Sequence, residues 1–130
     1  LGMKDFQQLA LINSHIIKNK IKTKVIPCPT IRDKNGTALS SRNSKLSSNQ
    51  FKTAGNIYKF IKNNKKLIHN QILHNKRSDI FNKLTKLGAN RVDYIESINL
   101  NKKRICRNSR SKFNIFVAYH LGEVRLIDNL

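Results

Sequence analysis

The run Asn35-Gly36-Thr37-Ala38-Leu39-Ser40-Ser41-Arg42-Asn43 concentrates groups that can hold an anion. Asn-Gly is a turn pair, since both residues tolerate positive φ. Two hydroxyls and a guanidinium follow in consecutive positions. In an extended or looping backbone they can offer O–H, N–H and Arg donors to one phosphate. The plain alternative is a polar loop whose arginine meets only water. A second candidate lies at the start of the chain, where Gly2 and Lys4 precede an apolar-periodic segment and Gln8 follows Lys4 at i+4. Free N–H groups at a helix start favour anions; an ordinary helix start with an exposed lysine competes with that reading.

The elements that must position these groups come from periodicity. Phe6, Leu9, Ala10, Ile12, Ile16 and Ile17 predict an amphipathic helix over about 5–19, with Asp5 at its N-cap. Residues 21–32 alternate as a strand, although Pro27 and Pro29 bar a fully paired central one. Cys28 reads as a small buried apolar residue. Asp33-Lys34-Asn35-Gly36 is a turn. Ser47 and Gln50 form a capping box, with Leu46 and Phe51 at the staple positions. The helix that follows breaks at Asn63-Asn64-Lys65-Lys66, and a second helix is predicted over 67–87 with Gly88 at C′. His69 and His74 are not spaced as metal ligands and read as surface or core-edge residues. Val92–Leu100 and Phe113–Tyr119 read as strands, 102–112 as a basic loop, and Val124–Ile127 as a short last strand. Helices followed by antiparallel strands make an α+β unit.

Composition bounds the function classes. The 130 residues carry 26 Lys+Arg against 7 Asp+Glu, a formal charge of +19 that points to a polyanion such as RNA. The basic residues are scattered, however, and Lys, Asn and Ile are enriched together, as an A/T-rich coding sequence would produce. Two cysteines make no disulfide framework, so a reducing cytoplasm is expected. No apolar run approaches the ~20 residues that span a bilayer. The chain opens on Leu1 and runs at once into a motif, so a front part is expected to be missing. No carboxylate pair, Ser-His-Asp set or Gly-x-Ser-x-Gly run stands out.

Three segments together resemble one family. They are Gly2-Met3-Lys4-Asp5-Phe6-Gln7-Gln8, the stretch Pro29-Thr30-Ile31-Arg32 through Gly36–Asn43, and Ala118-Tyr119-His120-Leu121-Gly122-Glu123-Val124-Arg125-Leu126-Ile127-Asp128-Asn129. In order and spacing they are similar to the helix start, phosphate loop and C-terminal signature of pantothenate synthetase, also called pantoate–β-alanine ligase. The resemblance covers only that enzyme's back half. It implies that residues 1–30 are the last helix and strand of a Rossmann-like nucleotidyltransferase domain, and that 31–130 form a lid of helices and a small antiparallel sheet.

The chemistry implied is ATP-dependent and accompanied by Mg2+. Pantoate would be activated as an adenylate and then captured by β-alanine. By the same resemblance, Lys4, Ser40, Ser41 and Arg42 would be catalytic. Gly2, Met3, Lys4, Asp5, Ile31, Leu39 and the Ser40–Arg42 loop would contact ATP, and Gln8 would bind pantoate. Met3 departs from a usual Glu, and Cys28 from a usual small aliphatic. The resemblance further implies a homodimer when complete, the need for an N-terminal half, and no ligase activity in this chain alone. A small basic RNA-binding protein is the competing reading; it leaves the Lys-Asp-x-Gln-Gln start and the Leu-Ser-Ser-Arg loop unexplained.

Overall fold

A computed structural model describes residues 1–99 and 113–130. The elements in order are a 3₁₀ turn (Met3–Asp5), α1 (Phe6–Lys18), a second 3₁₀ turn (Ser41–Lys45), α2 (Ser48–Asn63), α3 (Lys65–Leu73), α4 (Arg77–Lys86), β1 (Arg91–Asn99), β2 (Phe113–Leu121) and β3 (Val124–Asn129). The strands form one antiparallel sheet in the order β1-β2-β3. The α+β architecture is therefore as expected. The predicted 102–112 loop, Leu100 and Cys106 lie outside the described residues.

Side-chain alternation divides the sheet between two sets of helices. On one face Ile95, Ile115, Val117, Tyr119 and Leu121 pack with Ala54, Ile57 and Ile61 of α2, Ile68 and Ile72 of α3, and Ile80 and Leu84 of α4. On the other face Phe116, with Tyr94 and Ile98, meets Phe6 and Leu9 of α1. The rings of Phe6 and Phe116 meet edge to face, 5.3 Å between centroids. This second face docks the start of α1, and hence Lys4, onto the sheet.

Local chemistry accounts for the helix ends. The capping box forms: Ser47 Oγ accepts from Gln50 N–H at 3.2 Å, and Gln50 Oε1 accepts from Ser47 N–H at 2.8 Å. The predicted break falls at Asn64, shared by α2 and α3. Gly88, at φ 113°, closes α4 in a Schellman arrangement, its N–H donating to Thr85 O and that of Ala89 to Leu84 O.

Four expectations require correction. The single helix over 67–87 is two, because Asn75 turns left-handed at φ 57° between α3 and α4; asparagine is among the few non-glycine residues that enter this region readily. Residues 21–32 do not form a strand. Pro27 and Pro29 remove the donors on either side of Cys28, so one parallel bridge to Gly2 remains, with Cys28 N–H donating to Leu1 O and Met3 N–H to Cys28 O, both at 2.8 Å. Cys28 itself is exposed, since this segment lies at the margin of the apolar packing. Asp5 does not cap α1: the helix is entered through the 3₁₀ turn, and Asp5 makes no capping bond.

Candidate phosphate-binding site

The Asn35-Gly36 turn is pinned to α2. Asn35 accepts from Thr37 N–H and donates to Phe51 O, each at 2.9 Å. Gly36 sits at φ 95°, and a Cβ there would stand 2.1 Å from the Tyr58 ring. Only glycine supplies both the angle and the clearance. Across the loop Leu39 N–H donates to Ile31 O at 2.9 Å, and Arg32 bridges to Ala38. The hairpin-like loop so formed delivers Ser40, Ser41 and Arg42 to the edge of β3.

The Ser-Ser-Arg run is not extended. Ser40 caps the 3₁₀ turn Ser41–Lys45, and its Oγ accepts from Arg42 N–H at 3.3 Å. That N–H is therefore engaged, while the Ser40 hydroxyl proton is left to donate outward. The Arg42 guanidinium reaches β3 and donates to Arg125 O at 3.3 Å.

Two clefts meet at Lys4. One is lined by Lys4, Thr37, Ser40, Arg42, Tyr58, Arg125 and Asp128, among others. Three of these are cations. The one carboxylate is already taken: Asp128 receives both Arg32 nitrogens, at 2.6 and 2.9 Å, with Arg32 stacked 4.4 Å from the Tyr58 ring centroid. Thr37 Oγ1 is buried in this cleft without a hydrogen-bond partner among the described residues. The Thr37 hydroxyl, in a lining it shares with Lys4, Ser40 and Arg42, is a spare donor of the kind an oxyanion takes, although the cleft as it stands is narrow, about 10 Å³, room for roughly one water. The second cleft, about 380 Å³, runs along the start of α1 past Lys4, Asp5 and Gln8 to Tyr94, Glu96, Ile98 and Phe116 on the sheet. Its size and mixed lining fit a small organic molecule.

The structure thus places Lys4 with Ser40 and Arg42 in one cleft, and Lys4 with Asp5 and Gln8 in the next. Gly2, Met3, Ile31, Leu39 and Ser41 line neither. Ile31 is 73% exposed and Leu39 50% exposed. Thr37, Tyr58, Arg125 and Asp128 were not singled out from the sequence as site residues. The clue available for the last two was their place in the C-terminal signature.

A β-bulge supplies a further piece. The register slips between Val92 and Tyr94, so Asp93 is the extra residue of β1. Its carboxylate accepts from Arg125 Nε at 2.7 Å and Arg91 Nε at 2.9 Å, and lies 3.2 Å from His120 Nε2. The Arg125 contact above all, helped by His120 and Arg91, holds the Asp93 carboxyl down at about 2. On the other sheet face burial pushes the Tyr119 hydroxyl up, and Asp128 adds to this.

No group of three or more His, Cys, Asp or Glu converges as a metal cage among the described residues. Mg2+ commonly binds through substrate phosphates with few protein ligands; Asp5 is the site carboxylate that forms no ion pair among those described. No helix among the described residues is long and apolar enough to cross a membrane.

Fold and site together define an α+β protein with a cleft lined by cations and hydroxyls abutting a larger pocket, a donor set of the kind a phosphorylated ligand would require. The model of the pantoate-beta-alanine ligase family matches residues 1–130, and the chain belongs to that family. It is 38% identical over 129 residues to pantothenate synthetase of Endomicrobium trichonymphae, aligning 99% of this chain with 46% of the relative. The crystal structure of pantoate-beta-alanine ligase from Francisella tularensis complexed with beta-gamma ATP and beta-alanine superposes with TM-score 0.74 at 34% identity, covering 99% of this chain and 41% of that one. The enzyme from Thermus thermophilus gives TM-score 0.76 at 27% identity, over 100% and 48%. The chain therefore spans about half the length of the curated relatives it matches.

Proposed function

We propose that this chain is the C-terminal portion of an ATP-dependent ligase that joins pantoate to β-alanine. The observation carrying the reading is the convergence of Lys4, Ser40 and Arg42 on one cleft, beside a pocket that Lys4 shares with Gln8. In the first step the pantoate carboxylate attacks the α-phosphorus of ATP, pyrophosphate leaves, and an acyl adenylate forms. In the second the β-alanine amine attacks the acyl carbon, AMP leaves, and the amine proton passes to solvent. Lys4 and Arg42 offset the charge that builds on the phosphate oxygens and Ser40 donates a hydrogen bond to it, while Ser41, which lines neither cleft, adds its hydroxyl once the nucleotide is enclosed. Gln8 holds pantoate. Gly2, Met3, Asp5, Ile31 and Leu39 complete the ATP contacts once the nucleotide is enclosed. Mg2+ would arrive on the nucleotide and neutralise phosphate charge there.

Residues 1–30 belong with the nucleotide-binding domain, and 31–130 form the lid over it. The complete enzyme is a cytoplasmic homodimer. Exposed apolar side chains along residues 11–26, Leu11 and Ile17 among them, support a contact with the N-terminal half.

The test mixes this chain with a separately made N-terminal half and follows AMP release that requires both pantoate and β-alanine. Activity that Lys4→Ala and Ser41→Ala each reduce by about a hundredfold is expected, the usual effect of removing one oxyanion donor. Halves that associate yet stay inactive overturn the assigned chemistry, and activity indifferent to both substitutions overturns the assigned residues.

A further inference from the structure

The last two residues of β3 grip both strands of chain that lead into the site. Consecutive residues of a strand point to opposite faces. Asp128 points toward α2 and takes the Arg32 guanidinium in a two-bonded pair. Asn129 points toward α1. Its side-chain nitrogen donates to Met3 O at 2.8 Å and to Lys4 O at 2.9 Å. Two carbonyl oxygens facing one side-chain atom require that atom to be the amide nitrogen, and they use both its protons. Asn129 is 5% exposed, so water does not replace these bonds readily. Its own carbonyl accepts from Arg32 Nη2 at 3.1 Å. Arg125, on the same strand, receives the Arg42 guanidinium on its carbonyl.

We propose that Asn129 is a positioning residue for Lys4, and that β3 sets the spacing between Lys4 and the Ser40–Arg42 turn. Lys4 stands in a 3₁₀ turn of 3 residues, Met3–Asp5, with no side-chain cap bond at its start. The turn is held from one side by Cys28 O, which accepts from Met3 N–H, and from the other by Asn129. Arg42 is held by the same strand. A rigid strand joining the two cations lets them meet one anion together without ordering each separately. A long lysine side chain on an unclamped turn would lose that advantage. This inference rests on the phosphate-binding reading of Lys4, but the clamp itself can be judged apart from it.

The experiment is an ATP titration read by NMR, a method that reads weak affinities, of the 130-residue chain mixed with the separately made N-terminal half, on wild type, Asn129→Leu, Lys4→Ala and the double variant. Leucine keeps the approximate size of the side chain and removes both donors. Asn129→Leu is expected to weaken ATP binding about fivefold, the worth of one typical hydrogen bond. It should add little further in the Lys4→Ala background, because a residue acting through Lys4 has nothing left to position. Unchanged affinity in Asn129→Leu, or fully additive effects, overturns the proposal.

A second measurement needs no variant of Asn129. In wild type the Asn129 side-chain amide protons should exchange with water far more slowly than those of an exposed asparagine. Exchange as fast as an exposed asparagine overturns the clamp, even if Asn129→Leu fails to fold. If the wild-type chain mixed with the N-terminal half does not bind ATP, the nucleotide reading fails. The clamp then stands or falls on amide exchange and on whether the Met3 and Lys4 carbonyl-carbon shifts move in Asn129→Leu.

Discussion

Single residues in this protein carry constraints that their neighbours cannot relieve. Gly36 is one: its φ of 95° and the 2.1 Å from its notional Cβ to Tyr58 leave no room for alanine. Tyr58 in turn stacks on Arg32, which binds Asp128. Gly36→Ala is therefore expected to cost at least ~2 kcal/mol, combining left-handed strain with displacement of a packed ring; a denaturant midpoint lowered at unchanged slope would show it. Asp93 is another. Its folded pKa of about 2 lies below the ordinary 3.8, held there first by Arg125. The unfolded chain thus takes up the proton more readily as pH falls. The stabilisation is fully present above pH 3.8 and is lost as pH drops through about 2. Asp93→Asn should flatten that part of the acid limb in a pH series of thermal melts; an unchanged acid limb would exclude Asp93 as a contributor.

Elements owe their limits to short-range chemistry where that chemistry is strong. The Ser47–Gln50 box starts α2 as its spacing predicts, with both reciprocal bonds made. Ser47→Ala should remove about 1 kcal/mol, the usual worth of an N-cap hydroxyl, and hydrogen exchange should rise first in the opening turn of α2. The break at Asn64 and the Gly88 terminus were legible for the same reason. Between α3 and α4 the apolar spacing continued in phase, so the turn at Asn75 was hidden: periodicity reports which residues are buried, not whether the backbone between them reverses locally. Residues 21–32 misled in the opposite way. Their alternation is real, but a strand also needs a partner, and the prolines allow Cys28 alone to pair with Gly2.

At the level of the whole molecule, the sheet is covered unequally. The α2–α4 face holds the main core, whereas α1 buries only Phe6 and Leu9 and leaves Leu11 72% and Ile17 66% exposed. Leu11→Asp should leave the melting temperature of this chain nearly unchanged, since the side chain already faces solvent, while weakening capture of the N-terminal half in a pull-down with the two purified parts. A large loss of stability in the isolated chain would mean instead that Leu11 packs within it. The formal charge of +19 also belongs to this scale. Family membership accounts for the Lys4 and Ser40–Arg42 segments, which a polyanion partner left unexplained.

Residue order alone pointed to the family, the α+β class and the two candidate segments around Lys4 and Ser40–Arg42, because glycine turns, caps and consecutive polar groups act within a few residues of themselves. It did not disclose that Ser40 would be bonded to Arg42 N–H in a tight turn, or that Thr37, Arg125 and Asp128 would line the same cleft. Nor did it reveal that Asn129 would hold the turn bearing Lys4. Those relations join residues as many as 126 positions apart. They follow from strand alternation, the bulge at Asp93 and the docking of α1 on the sheet, and each of these exists only once the chain has closed on itself.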